Sequence, residues 1–131
     1  MITDTRYAVE QTWTFANAPQ SATRAVVGAL DELEGLGLVV SISVINVPVV
    51  HPKTGKSEMH DIQHAPMLPE ALDACLLQQQ GKVHLAPMFE NLRKQWLEAV
   101  RTEGAGAFSV SVAELIAMYQ PIIEQGLSSE Q

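Results

Sequence analysis

The run LVVSISVINVPVV, residues 38–50, constrains the fold more than any other stretch. It is rich in valine and isoleucine and carries no charge. Branching at Cβ suits a pleated strand and disfavours a helix. The alternation slips once: Ile42 and Val44 share one face, whereas Ile45, Val47 and Val49 fall on the other. A β-bulge near 44–46 reconciles the two halves. Pro48 has no N–H for a ladder, which predicts a local edge position.

A strand this apolar needs sheet neighbours. One is predicted at 6–15, RYAVEQTWTF, where Tyr7, Val9, Trp13 and Phe15 alternate with Arg6, Glu10, Thr12 and Thr14. The sequence NAPQS breaks it. Another follows the turn HPKTGKS, 51–57, in which Gly55 suits a positive φ; SEMHDIQH then returns as the second arm of a hairpin. Between 21 and 34 the periodicity reads as helix: Ser21 as cap, Val26, Ala29, Leu30 and Leu33 at helical spacing, Gly35 and Gly37 as the stop. Asp31, Glu32 and Glu34 read as its solvated face.

The C-terminal half reads as mainly helical. One helix is predicted over PEALDACLLQQQG, 69–81, with Leu72, Cys75, Leu76 and Gln79 on one face. A second is predicted over 87–104, with the stripe Phe89, Leu92, Trp96, Val100 and a Glu90–Lys94 pair. Ser111 and Glu114 form a capping-box pattern that opens a third over 112–125, interrupted by Pro121. AFSVS, 107–111, reads as loop or a short fourth strand. The expected class is therefore α+β in a single domain, 1–131, with a three- or four-stranded mixed sheet. A helix between strands one and two implies a parallel crossover, and a fourth strand would admit a ferredoxin-like arrangement.

Composition bounds the function. The chain has 131 residues, 47% of them apolar and 18% charged, with a net charge of −7. Its eight cations are scattered rather than gathered into a stripe, which argues against nucleic acid and against an anionic membrane surface. The start MITDTRYAVEQ lacks the pattern of a signal peptide, and no apolar run is long enough to span a bilayer. The single cysteine, Cys75, closes no internal disulfide. A cytoplasmic location is the expectation. Phosphate-loop, dinucleotide and nucleophile-elbow patterns do not occur.

The residues with most chemistry lie in and around SEMHDIQHAPM, 57–67. His60 and His64 are four apart, a chelating spacing on a helix but about 13 Å apart on a strand at ~3.3 Å per residue. The strand reading leaves a cross-strand alternative, with His51 opposite His60, aided by Glu58 and by His84 from GKVHLAP. The candidate ligands for zinc or another divalent transition metal are thus His51, Glu58, His60, His64 and His84; the leading expectation is no cofactor. Cys75 reads as a small core hydrophobe, and Met59, Met67 and Met88 as gap fillers or an apolar rim.

Three functions follow from these readings. The first is a non-enzymatic protein-binding subunit, with an accessory, inhibitory or assembly role, whose partner is another protein or a second copy of itself. The second is a small metal- or histidine-dependent enzyme. The third is a small-molecule sensor or carrier domain.

Overall fold

The computed structural model describes residues 7–128. Arg6, the first residue of the expected N-terminal strand, lies outside them. Among the described residues the chain forms five strands and three helices: β1 (Gln11–Phe15), β2 (Arg24–Leu33), β3 (Gly37–Val50), β4 (Ser57–Met67), α1 (Pro69–Cys75), β5 (Leu76–Lys82), α2 (Phe89–Glu103) and α3 (Val112–Ser128). The strands make one sheet in the order β4-β3-β2-β1-β5, and every neighbouring pair is antiparallel. The α+β class stands, but the sheet has five strands rather than three or four, and it is not mixed. AFSVS contributes one isolated parallel bridge, Phe108 to Met67.

The largest correction is at 21–34. The expected helix is strand β2, so there is no crossover and β1 runs antiparallel to β2. The cause is a bulge. Val27 pairs with Ile42 and Ala29 with Ser41, which leaves Gly28 as the extra residue. Val27 and Leu30 then share a face, three residues apart, and the interrupted strand mimics a helical repeat. Gly28 is also a point of close approach: a Cβ there would sit 2.2 Å from the Phe89 ring. The β2–β3 turn uses Gly35 and Gly37, both at positive φ.

In β3 the bulge expected near 44–46 is present. Val44 pairs with Ile62 and Val47 with His60, and Asn46 takes a φ of 62°. Asn46 is held there by its Nδ2 donating to the Ala22 carbonyl at 2.9 Å. Pairing with β2 ends at Ile45, so residues beyond it have β4 on one side only. Pro48 therefore lies at a local edge, where its missing N–H removes no ladder bond. Its carbonyl accepts from Gln120 Nε2 at 2.7 Å, and the Val50 N–H donates to Glu124 Oε2 at 3.2 Å. Two side chains of α3 thus cover the stretch that β2 leaves open.

β4 and β5 lie on opposite edges, so the chain between them crosses one face of the sheet. α1 makes that crossing. Leu72 and Cys75 join Val27, Val40, Ile42, Val44, Met67, Leu115 and Ile116 in the main core, which α3 completes. Burial pushes the Cys75 thiol up, as its reading as a core hydrophobe requires. The helix ends at Cys75 rather than continuing to 81, because Leu76 turns extended and pairs with Phe15. Pairing with the open edge of β1 overrides the helical propensity of LLQQQ. α3 opens as expected: Ser111 Oγ accepts from the Glu114 N–H at 3.1 Å while Glu114 Oε1 reaches back to Ser111.

α2 covers the other face. Residues one step out of phase with Val40 and Ile42 point there. Ser41 is bonded to His64, whose ring meets Phe89 edge-on at 5.3 Å, and Asp31 pairs with Arg93. Asp31 is thus not part of a free solvated face, and Glu90 pairs with Arg93 rather than with Lys94. No helix among the described residues is long and apolar enough to cross a membrane.

Candidate functional site

The five histidine-region residues occupy different places. β4 carries its own bulge: Ile62 pairs with Val44 and Ala65 with Ile42, so one residue of the 63–64 pair is extra. His60 and His64, four apart in sequence, therefore point to opposite faces of the sheet. His60 lies on the α3 side, 3.0 Å from Glu58 Oε1. His64 lies on the α2 side, with Nε2 3.0 Å from Ser41 Oγ. His51 is not opposite His60: the partner of His60 is Val47. The His51 Nδ1 instead accepts from the Lys53 N–H at 3.1 Å, which closes the turn. His84 is almost fully exposed and lies 3.3 Å from Glu10 Oε2. Among the described residues, no three His, Cys, Asp or Glu side chains come together in a way that could hold a metal ion.

His64 is half-buried beside Arg93. Burial lowers its pKa to about 4, and the neighbouring Arg93 charge adds to the effect against the opposing pull of Asp31 and Glu90. The neutral ring meets Phe89 edge-on and, at 5.8 Å, packs at a tilt against Trp96. Ser41, its hydrogen-bond partner, is fully buried, so the Ser41–His64 bond fixes the ring that packs α2 onto the sheet. Arg93 reinforces the same seam, with Nε and Nη2 each donating to an oxygen of Asp31 at 3.0 and 2.5 Å.

Beside this seam the structure opens. α2 and α3 stand apart on either side of β4 and leave a groove of about 500 Å³, floored by Asp61–His64 of the strand. Leu92 and Trp96 of α2 form one wall, Tyr119 and Ile123 of α3 the other. All four are half-buried. The Trp96 indole N–H is spent on the Gly106 carbonyl at 2.9 Å, so the ring is held in place as a wall. The Tyr119 ring meets Phe108 edge-on, and burial raises its phenol above the usual range.

The floor of this groove belongs to the edge strand of the sheet, and within it the Gln63 carbonyl accepts from Ser43 Oγ at 2.6 Å. The end of β4 is covered where Phe108 N–H donates to Pro66 O and Leu68 N–H to Phe108 O, and its open edge runs from the groove toward Ser57. Antiparallel pairs alternate between those that exchange both backbone bonds and those that exchange neither. Pro48 and Val50 direct their backbone groups away from β4, to Gln120 and Glu124. Their partners Met59 and Ser57 therefore direct their own N–H and C=O groups away from β3, to the open side. Gln63 Oε1 also lies buried here and has no hydrogen-bond partner among the described residues. A buried acceptor without a donor costs about 1–3 kcal/mol.

In the sequence Leu92 and Trp96 belong to the apolar stripe of the second helix, and nothing marks Gln63, Tyr119 or Ile123 for function. A signal existed: the apolar stripe of α2 runs on past Phe89, whereas the sheet edge beneath it supplies only one strand. Comparison with protein-family models, with curated proteins and with solved structures finds no match.

Proposed function

We propose that this chain is a non-enzymatic protein-binding subunit, serving an accessory, inhibitory or assembly role, that holds an extended segment of its partner along the open edge of β4. The observation that carries this reading is the coincidence of an unpaired edge with apolar helical walls. Backbone pairing along β4 would supply affinity, and the groove between α2 and α3 would select the side chain that points into it. The exposed Met59, on the same edge, adds an adaptable apolar contact.

The test is selection of peptides from a random displayed library on the whole chain, with recovered peptides measured against wild type and Met59→Pro. Proline at 59 removes an outward donor but no bond to β3. Enriched peptides that bind wild type and lose affinity for Met59→Pro support the reading. Failure to enrich any peptide, or equal affinity for the variant, opposes it.

A further inference from the structure

We infer that the segment taken by the β4 groove belongs to a different protein and is basic: one bulky apolar side chain flanked by lysine or arginine. The inference rests on the strand-addition reading above and adds the chemistry of the guest.

The apolar requirement comes from the walls. Leu92 and Trp96 on the α2 side and Ile123 on the α3 side offer half-buried hydrocarbon about a floor in which Ile62 is buried, and a guest strand lying on β4 would direct its side chains alternately toward the two helices. The charge requirement comes from what surrounds the edge. Glu58 and Asp61 lie on β4 itself, and Glu124 lies on α3 where it crosses the neighbouring strand. No lysine or arginine lines the groove, and Arg93, the cation next to it, is spent on Asp31 and Glu90. Glu58 is hydrogen-bonded to His60 Nε2, Asp61 Oδ1 accepts from the Asn46 N–H and Glu124 Oε2 from the Val50 N–H, and the acid charge that remains along this edge favours a basic guest and repels an acidic one.

The same features disfavour a second copy as the occupant. Pairing β4 with β4 would gather two copies of Glu58 and Asp61 along one seam and bring together two chains of net charge −7. Like charges across paired strands are destabilising.

Three blocked nonapeptide probes test this by fluorescence anisotropy: Lys-Thr-Lys-Thr-Leu-Thr-Lys-Thr-Lys, and the same sequence with every lysine replaced by glutamine or by glutamate. The expected order is lysine, then glutamine, then glutamate, with at least about a tenfold span. The span should collapse at about 1 M salt, where the Debye length is ~3 Å. The isosteric double variant Glu58→Gln/Asp61→Asn should lower affinity for the lysine probe several-fold and leave the glutamine probe unchanged. Equal binding of all three probes, a preference for glutamate, or no binding of the lysine probe overturns the inference. A lysine probe methylated on alternate backbone nitrogens separates the two levels. If it binds like its parent, strand addition itself fails; if it loses binding while charge makes no difference, strand addition stands and the basic guest fails. A dimer by light scattering that Met59→Pro dissolves would place a second copy on the edge and likewise overturn the inference.

Discussion

The sheet has two open edges, and they are built differently. β5 is short, and its pairing with β1 is interrupted twice, between Gln11 and Trp13 and between Trp13 and Phe15. Beyond Leu76 all of it is exposed, its middle is the glutamine run 78–80, and it closes with Gly81, at a φ of 98°, and Lys82. Irregularity, polarity and a terminal lysine are how sheets discourage a further strand. β4 is longer, and its open side runs between two helices that present hydrocarbon toward it. An unpaired edge is thus common to both, and the surroundings separate a blunted edge from a receptive one.

The comparison depends on α2 staying in place, so the largest expected effect comes from removing its anchor. Phe89→Ala empties a site that is 1% exposed and should cost about 3–5 kcal/mol in urea unfolding; a loss below about 1 kcal/mol would show that α2 is held by something else. Filling the other side of the same contact is the next test. Gly28→Ala drives a Cβ into the Phe89 ring and should cost about 1–3 kcal/mol, and an unchanged midpoint would refute the close approach.

A smaller effect follows from His64. Its folded pKa, about 4, lies below the ordinary 6.5. The unfolded chain therefore binds a proton more readily between these values, and stability is complete above about pH 6.5 and falls as the pH drops toward 4. Urea midpoints between pH 7 and 4 should decline, and His64→Gln should flatten the part of that decline owed to this residue. Identical slopes in the two proteins would contradict the burial of the ring. The smallest effect separates the edges directly: Met59→Pro should change stability by less than about 1 kcal/mol, because its N–H serves no bond within the sheet. A larger loss would mean that the donor points inward to β3.

Much of the sheet was legible. The bulge at 44–46, the local edge at Pro48 and the Gly55 turn followed from a slipped alternation, a missing N–H and a residue free to take positive φ. β2 was not legible, because an extra residue at Gly28 turns a period of two into a step of three, and that step is the signature of a helix. β5 was hidden for a different reason: LLQQQ has no strand pattern of its own, and its conformation comes from the edge of β1. The bulge at 63–64 likewise sends His60 and His64 to opposite faces, which spacing alone does not reveal. The groove was illegible because it is a gap between elements. Trp96 and Tyr119 each look like core residues within their own helices, and only packing shows that neither is fully covered.

The most direct test of the central claim is amide hydrogen exchange on the whole chain, with and without a saturating display-selected peptide. Added protection at Ser57 and Met59, with β5 unchanged, is the result expected if β4 is the receptive edge. Added protection confined to 76–82, or spread over neither edge, would contradict it.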